Sequence, residues 1–553
     1  MGYTQEMLDL IKRVEATRSE RVAGAREGKD FPPLSLEERT ERLKYHPDYK
    51  EEGRRPLACG VSKDYAICHE IADLLEAAPL VEPGVVDVTE ADYTTDVLVI
   101  GGGGAGTSAA LLAAEAGVRV ILATKLRHGD ANTMMAEGGI QAATKVGWDS
   151  PYFHYLDVIG GGHFKNPPEL VRTLVTEAPL VIEWLEGMGC LLSKESDEDG
   201  TLRTAHGGGT CRKRMHFAAD ITGAEIMRTL RDEARNRADR IEVLEFNPAV
   251  ELILNDKGHC CGALLFNLET REPYVVHAKA VVMATGGSGR LHVQGFMTTN
   301  HYGATGDGLV MAYRAGVPVT FLHAVQYHPT GAVFPEQAEG LLITEKVRGF
   351  GAHILNVEGN QFVFEREPRD VEAASIIREC GKVGKGVPTP TGKFGAWLDS
   401  PMIEQLHGPG TVEREFPGKF ILFKRYGINI SKVPMLVGPT LHYQNGGLAY
   451  DSKCETVLPG LYSAGEVSGG VHGENRLMGN SLLDVTVFGR IAGREAAQYA
   501  KDRYEAGTPN LEHVHRFVKE RKEAGLDAPI KSPILLPDYL GERVKDKRLA
   551  ALD

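Results

Sequence analysis

The feature that most constrains the fold is a glycine-rich turn near residue 100. The apolar segment DVLVIGGGGAG, residues 96–106, is followed by the helical pattern TSAALLAAEAG and then by the apolar segment VRVILAT. Strand, glycine turn, helix and strand together form a βαβ unit, whose helix begins where a dinucleotide pyrophosphate binds. Gly101, Gly103 and Gly106 have the G-x-G-x-x-G spacing that permits a tight turn and close backbone approach. We therefore predict an α/β chain built around a dinucleotide-binding domain.

The bound dinucleotide is expected to be a flavin. A nicotinamide site usually ends its second strand with an acid for a ribose hydroxyl, but this chain has Thr124-Lys125 at that point. The later segment AVVMATGGSGR contains a strand pattern but lacks the spacing of a second dinucleotide site. One dinucleotide must therefore do the redox work, which favours a flavin over a nicotinamide.

Composition excludes several classes of protein. A chain of 553 residues with 42% hydrophobic and 25% charged residues is expected to fold into more than one globular domain. The net charge of -13 argues against nucleic-acid binding, although a local basic pocket for a small anion is compatible with it. The sequence has no run of about 18 apolar residues and no apolar signal segment. We expect a cytoplasmic protein without its own membrane span, associated with a membrane only through partners.

The eight cysteines do not predict a metal site. They are scattered, and none forms a C-x-x-C pair, a haem-attachment motif or a ferredoxin spacing. We expect reduced thiols, with Cys59 and Cys68 buried.

The first 93 residues differ from the rest of the chain. The segment SLEERTERLKYHPDYKEEGRRP is dense in charge and is typical of helix and turn. Two interpretations stay open, a solvated or packing arm and a docking surface for another protein.

Several motifs beyond the glycine turn resemble one family. They are MMAEGGI, AADITG, VVMATGG, GATGDGLVMA, QYHPTG, ITEKVRG, REPRD, LHYQNGG, YSAGEV and NRLMGNSLLD. In this order they resemble the flavoprotein subunit of succinate dehydrogenase and fumarate reductase, over about residues 96–493. L-aspartate oxidase and adenylylsulfate reductase share that fold.

The resemblance implies a division of the chain. We expect a Rossmann-like FAD-binding domain interrupted by an α+β capping domain, which closes over substrate and flavin. The predicted segments are a mostly helical N-terminal extension and candidate docking element at 1–93, FAD-binding residues 94–331, the capping domain at 332–440, FAD-binding residues 441–495, and a short helical C-terminal tail at 496–553.

The resemblance also implies the residues that bind FAD. Gly101, Gly103, Gly104, Ala105 and Gly106 would bind the pyrophosphate, and Thr124 and Lys125 the adenosine side. Around the ring and beyond it, the predicted contacts are Asn132, Thr133, Ala136, Gly138, Gly139, Asp307, Glu466, Asn480, Ser481 and Leu482.

A small dicarboxylate, fumarate or succinate, is the substrate that the resemblance implies. His442 and Arg476 would hold one carboxylate, and arginine suits that role because its planar guanidinium binds carboxylates with two hydrogen bonds. His328 and Thr344 would hold the other end.

The same resemblance assigns Arg369, from an R-D step, as proton donor and acceptor. Because an arginine does not normally lose its proton, a neighbour must replace that proton at once. Glu345 and Arg348 are the expected relay. His128, His292, His323 and His472 fall outside these roles and are predicted to be structural.

Two departures from the family pattern carry information. Asn132 stands where membrane-complex members have a histidine bonded covalently to the flavin, so we expect noncovalent FAD and a preference for fumarate reduction. Only 63 residues follow Arg490, which is fewer than in respiratory members, and docking to their usual iron-sulfur subunit is in question. An iron-sulfur or other electron-transfer protein must still exchange electrons with the chain, and the extension is a candidate docking element.

Two alternatives to a fumarate reductase or succinate dehydrogenase flavoprotein stay open. L-aspartate oxidase shares the capping domain, the T-E-x-x-R motif and the carboxylate-binding residues. A flavin subunit that only relays electrons inside a complex is the other alternative, although it would not need Arg369.

Overall fold

The chain has a mixed α/β fold with a helical N-terminus. A computed structural model describes residues 2–29, 31–82, 84–145, 147–196 and 200–537.

The helices are distributed over all described parts of the chain. They are α1 Gln5–Arg26, α2 Leu36–Leu43, α3 His69–Leu75, α4 Gly104–Glu115, α5 Asn132–Met135, α6 Pro151–Gly161, α7 Pro168–Gly187, α8 Thr222–Asn236, α9 Asp307–Arg314, α10 Lys346–Gly349, α11 Arg369–Ile377, α12 Pro401–His407, α13 Thr411–Glu415, α14 Pro417–Arg425, α15 Asn480–Asp502 and α16 Glu512–Glu523. A π-helical turn, Arg378–Lys382, continues α11.

The strands form two larger sheets and several short pairs. They are β1 Arg54–Pro56, β2 Ala66–Cys68, β3 Ala78–Pro79, β4 Tyr93–Ile100, β5 Val120–Ala123, β6 Ile140–Gln141, β7 Met215–His216, β8 Ile241–Leu244, β9 Ala249–Asn255, β10 Cys260–Phe266, β11 Pro273–Met283, β12 Val319–Thr320, β13 Val325–Phe334, β14 Ile354–Leu355, β15 Val387–Pro388, β16 Phe394–Leu398, β17 Met435–Gln444, β18 Gly447–Leu448, β19 Leu461–Ser463, β20 Pro509–Asn510 and β21 Lys531–Ser532.

The first sheet has the order β20-β9-β10-β11-β4-β5-β8, with β19 beside β11. Strand β4 is parallel to β5 and to β11, as a βαβ unit requires. Side chains alternate between the two faces of a strand, so Val97 and Val99 pack in one core with α4 and α15, while Leu98 and Ile100 pack in another with α3 and α9. Both faces of the sheet are thus covered. Strand β4 ends at Ile100, directly before the glycine turn.

The second sheet has the order β13-β17-β16-β14, with β15 beside β16. Strands β13 and β17 are antiparallel. A separate hydrophobic core, made of residues between Ala332 and Val437, packs against this sheet. Strands β13 and β17 both cross the limits that we predicted for the capping domain, 332–440, and those limits remain a prediction.

The N-terminal extension packs against both sheets. Helix α1 places Met7, Ile11 and Val14 in a core with Leu355 and Trp397 of the second sheet. Its residues Arg18 and Arg21 both pair with Asp399 at 2.8 and 2.7 Å. The segment after α2 adds Leu57, Ile67 and Ile71 to the core behind the first sheet. The apolar face of α1 is therefore covered by the chain itself, which favours the packing interpretation for that face.

The predicted tail contains more than helix. Residues 496–537 include the end of α15, helix α16, and the strands β20 and β21, which pair with β9 and β3. Residues 538–553 of that predicted segment lie outside the described residues. All eight cysteines are free, and Cys59 and Cys68 are buried. Within the described part of the chain, no helix is long and apolar enough to cross a membrane.

Candidate active site

The glycine turn after β4 is shaped to receive an anion. Gly101 has φ +119°, and a Cβ there would lie 2.2 Å from the carbonyl oxygen of Ala284. A Cβ on Gly106 would lie 1.8 Å from the Gly101 carbonyl oxygen, so only glycine fits this helix-to-strand contact. Helix α4 begins at Gly104, whose N–H donates to Thr133 Oγ1 at 3.0 Å, and its N-cap residue, Gly103, has no side chain that could cap the helix. The other backbone N–H groups of the first turn can therefore bind a pyrophosphate.

A groove leads from this turn along the first sheet, and most of the predicted FAD contacts line it. These are Gly101, Gly103, Gly104, Ala105, Thr124, Lys125, Asn132, Thr133, Ala136, Asp307, Glu466, Ser481 and Leu482. Four predicted contacts lie outside its lining. Gly106 supports the turn, and Gly138 and Gly139 line a neighbouring cavity. Asn480 is buried, and its Oδ1 lies 3.1 Å from Nε2 of His154.

Polar side chains in the groove are already organised by one another. Lys125 Nζ donates to Asp307 Oδ2 at 2.6 Å and to Thr305 Oγ1 at 2.7 Å. Asn132 Nδ2 donates to Glu466 Oε2 at 3.2 Å, while Asn132 Oδ1 accepts from the backbone N–H of His301 at 2.9 Å. Both ends of the Asn132 amide are therefore used by contacts within the protein.

A smaller cavity adjoins the groove. The two share Ala136, Leu342, His442, Ser481 and Leu482. The predicted substrate and proton-transfer residues that line the smaller cavity are His328, Thr344, Glu345, Arg369, His442 and Arg476. Arg348 lies behind Glu345, 3.5 Å from its carboxylate. The fold thus brings together residues from β13, α10, α11, β17 and the loop before α15.

The arginine predicted as proton donor is paired with the predicted relay. Arg369 Nε donates to Glu345 Oε2 at 2.8 Å, and Glu345 Oε1 accepts from Gly208 N at 2.5 Å. Burial lowers the pKa of Arg369, although Glu345 opposes that shift. Burial alone would raise the pKa of Glu345, but Arg369 and Arg348 hold it below its ordinary value. Glu345 is therefore a carboxylate held ionised between two cations.

The two histidines in the cavity are neutral hydrogen-bonding groups. Burial first, and then the positive charge of Arg369, lower the pKa of both His328 and His442 well below the ordinary value. His328 Nδ1 accepts from Thr330 N at 3.2 Å, so its ring proton is on Nε2. His442 Nδ1 lies 2.7 Å from Thr299 Oγ1. The rings are 4.9 Å apart and can each present a nitrogen to a carboxylate.

Gln326 is a site residue that the sequence reasoning missed. Its Oε1 accepts from Arg369 Nη1 at 2.9 Å and from Arg476 Nη2 at 2.8 Å, and its Nε2 donates to the Arg476 carbonyl at 2.6 Å. It stands two residues before His328 on β13, on the same face of the strand. That alternation was the one signal in the sequence that could have revealed it.

The support behind Arg476 was also missed. The Arg476 guanidinium lies over the Tyr443 ring, 4.5 Å from its centroid, and Tyr443 Oη donates to Asp484 at 2.9 Å. Burial and the nearby Arg369 lower the pKa of Arg476 to about 9. Two arginines are thus held close together by a neutral amide, and Glu345 is the carboxylate partner of one of them, Arg369.

The four histidines predicted to be structural lie outside both cavities. His128 contacts Thr107, with Nε2 3.0 Å from Oγ1, and His323 contacts Tyr65 and Glu474. His292 contacts the backbone oxygen of Phe296, and His472 lies 3.6 Å from Asp484. Among the described residues, no group of three His, Cys, Asp or Glu side chains could hold a metal ion.

Comparison with known proteins agrees with this geometry. Residues 96–482 match the family described as FAD binding domain. One subunit of the fumarate reductase (CoM/CoB) of Methanothermobacter marburgensis is 37% identical over 441 residues, which cover 78% of this chain and 76% of that protein. The L-aspartate oxidase of Streptomyces coelicolor is 37% identical over 428 residues, covering 75% of this chain and 70% of that protein.

This chain is also similar to a solved structure. A variant of E. coli quinol fumarate reductase has a TM-score of 0.70 and 32% sequence identity, covering 78% of this chain and 74% of that chain. FAD also fits the residues present, because the glycine turn has no room for side chains and the α4 N-terminus faces the groove. The chain therefore belongs to the family of FAD-dependent oxidoreductases of the fumarate reductase and succinate dehydrogenase type.

Proposed function

We propose that the chain is the catalytic flavoprotein subunit of a fumarate reductase or succinate dehydrogenase, acting on a small dicarboxylate. The observation that carries the proposal is the pair of buried arginines, Arg369 and Arg476, joined by Gln326 in a cavity that adjoins the FAD groove. Two guanidinium groups so close together repel each other and are hidden from water. Glu345 already pairs with Arg369, and a bound dicarboxylate would bring further negative charge to both guanidinium groups.

The two ends of the substrate would be held by different elements. Arg476 and His442 would bind one carboxylate, from the α15 loop and from β17. His328, with its proton on Nε2, and Thr344 would bind the other. Arg476, His328 and Thr344 are buried and His442 is partly buried. All four side chains are fixed by hydrogen bonds within the protein, so little reorganisation is needed when substrate binds.

Arg369 would supply the proton. Bound FAD supplies the hydride that one alkene carbon receives, and the other carbon needs a proton from the protein. Arg369 lies in the cavity lining, and its Nε–H is directed to Glu345. The hydrogen bond to Glu345 gives the arginine a partner through which a lost proton can be replaced. In succinate oxidation the same group would accept the proton.

Noncovalent FAD and a partner protein are part of this proposal. Asn132 uses both ends of its amide for protein contacts, which supports a flavin held without a covalent bond. Two relatives, one named as part of a fumarate reductase (CoM/CoB) and one as a fumarate reductase flavoprotein subunit, support electron exchange with another protein chain. An iron-sulfur or other electron-transfer protein is the proposed partner.

L-aspartate oxidase is the second candidate, because a relative with that activity in its name is equally identical to this chain. Anaerobic assays with reduced viologen and fumarate, and with succinate and an acceptor, test the first candidate in FAD-loaded protein. Aspartate-dependent peroxide formation in air tests the second. Failure with both fumarate and succinate would exclude the proposed function.

A further inference from the structure

The charged residues behind Arg369 form a longer series than the predicted relay. Helix α11 begins with Arg369 and carries Glu372 one turn later, while Glu345 and Arg348 are separated by one turn at α10. Residues three apart lie on one face of a helix, so the two pairs meet side by side. The order of contacts is Arg369 to Glu345 to Arg348 to Glu372. Positive and negative groups alternate along this series.

Glu372 is the buried outer end of the series. Its side chain is 0% exposed, and its Oε2 accepts from Arg348 Nη1. Its other oxygen, Oε1, has no hydrogen-bond partner among the described residues. A fully ionised carboxylate without a partner on one oxygen is costly in such a site, whereas a carboxylic acid is tolerated far better.

A second carboxyl group, Glu365, lies beside this end. Its backbone oxygen accepts from Arg348 Nη1 at 3.0 Å, and its carboxylate accepts from Ile354 N at 2.8 Å and Gln361 Nε2 at 2.9 Å. Burial raises the pKa of Glu365 to about 7. Burial also raises the pKa of Glu372 well above its ordinary value, with Arg348 opposing the shift and Glu345 and Glu365 adding to it.

The number of charges in this buried set also favours one protonated carboxyl group. Arg369 and Arg348 carry two positive charges, while Glu345, Glu365 and Glu372 would carry three negative charges if all were ionised. One proton shared at the outer end makes this buried set neutral. Gln361, which is partly exposed, connects that end to the protein surface.

Other groups around α11 are directed elsewhere. The charged or titratable side chains around this part of α11 include Glu345, Arg348, Glu365 and Arg369, which are described above. The others are His328 on β13, His442 on β17, Arg39 and Arg42 on α2, and Asp370 and Glu379 on α11 and its continuation. Arg39 pairs with Glu367, and Asp370 pairs with His163. Only Arg348, in the described structure, contacts the Glu372 carboxylate directly.

We propose that Glu372 is the proton-storing end of the relay. It gives Arg348 a proton that replaces the one that Arg369 donates to the substrate. The inference rests on the proposed function. In fumarate reduction Arg369 loses one proton to carbon, Arg348 replaces it through the Glu345 carboxylate, and the Glu372 carboxyl gives its proton to Arg348. Each transfer breaks one bond to hydrogen and forms one, and no electrons move with it. The set ends one proton poorer, with Glu372 ionised beside cationic Arg348, and solvent restores that proton.

Glu372 does not line the substrate cavity, so it acts as a positioning and proton-storing residue. Glu372→Gln should lower kcat for viologen-driven fumarate reduction at least about tenfold, with KM and FAD content nearly unchanged. In the wild type kcat should fall as pH rises and Glu372 becomes ionised, and this limb should be lost in Glu372→Gln. Glu372→Asp should have a kcat between those of Glu372→Gln and the wild type, and its kcat should fall over a different pH range.

Glu367→Gln is the matched control. Glu367 is also buried beside α11 and pairs with an arginine, but that arginine is Arg39 of the extension. The pH dependence of kcat in Glu367→Gln should match that of the wild type. An infrared spectrum of the resting protein should show a protonated carboxyl band that is lost in Glu372→Gln, and this readout does not depend on turnover.

The outcomes separate the two claims. Wild-type protein inactive with fumarate and succinate would overturn the proposed function, and the relay with it. Active wild type with an unchanged pH profile and carboxyl band in Glu372→Gln would overturn the relay alone. If Glu372→Gln fails to fold, Glu372→Asp decides, since an undisplaced pH limb in that variant would equally overturn the relay.

Discussion

Gln326 Oε1 accepts a hydrogen bond from Arg476 Nη2 at 2.8 Å, across 150 positions of sequence. The same oxygen accepts from Arg369 Nη1 at 2.9 Å. A single neutral amide therefore sets the distance between the cation that would bind the substrate and the one that would protonate it.

Gln326→Leu should release both arginines. A hydrogen bond to a charged group is worth about 1.5–3 kcal/mol, so loss of this acceptor is expected to lower kcat/KM for fumarate at least about tenfold. Steady-state kinetics with reduced viologen measure it, and FAD absorbance controls for folding. A variant with wild-type kcat/KM would show that Gln326 does not position the arginines.

Arg369→Lys should abolish turnover while FAD stays bound. Lysine keeps the charge but loses the planar group that contacts both Glu345 and Gln326. We expect kcat to fall by at least about 10²-fold. The matched control is Arg366→Lys, an exposed arginine three residues earlier, which should keep wild-type kcat. Substantial turnover in Arg369→Lys would show that Arg369 is not the proton donor.

FAD should be released when the protein is precipitated with acid. Asn132 makes hydrogen bonds to Glu466 and to the backbone at His301, and an amide does not form a carbon–nitrogen bond to the flavin under these conditions. The absorbance of the supernatant and the pellet measures the outcome. A yellow pellet would refute noncovalent binding.

The contact between the extension and the second sheet should contribute to stability. Asp399 is fully buried and pairs with Arg18 and Arg21. Asp399→Asn leaves two cations without their carboxylate partner and is expected to lower the free energy of unfolding by about 3 kcal/mol, measured by urea unfolding. Asp9→Asn, on the exposed side of α1, breaks a solvent-exposed pair with Lys12 and should have no measurable effect. Equal stability of both variants would show that the buried pair does not hold α1.

Buried His154 should make the protein less stable in acid. Burial lowers its pKa from 6.5 to about 4, so between pH 6.5 and 4 the unfolded state binds one more proton than the folded state. Stability from this residue is present above pH 6.5 and lost as pH falls through that window. His154→Gln should reduce the pH dependence of the unfolding free energy there by up to about 1.4 kcal/mol per pH unit. An unchanged slope would contradict a neutral buried His154.

Local patterns predicted the parts of the fold that depend on neighbours in sequence. The glycine spacing predicted β4, the turn and α4, because each requirement falls within about ten residues of chain. The contact of Arg18 with Asp399 spans 381 positions, and no local pattern indicates it. The packing of α1 on the second sheet is therefore not predictable from the sequence, which is compatible with both interpretations of the extension.

The site was predicted in a similar way. The family motifs brought His328, Arg369, His442 and Arg476 into consideration, and the structure places them around one cavity. Gln326 belongs to one of the same motifs, but its role depends on two arginines that are 43 and 150 positions away. The role proposed for Glu372 depends on its contact with Arg348, which no local pattern indicates, since a glutamate in a helix is ordinarily a solvent-facing residue.

The most direct test of the central claim is a single turnover. FAD-loaded protein is reduced anaerobically, mixed with fumarate in a stopped-flow instrument, and followed by flavin absorbance. We predict that fumarate reoxidises the bound FAD in the wild type and that Arg369→Lys keeps its FAD reduced under the same conditions. Bound FAD that stays reduced with fumarate in the wild type, yet is reoxidised by an artificial acceptor, would contradict the proposed function.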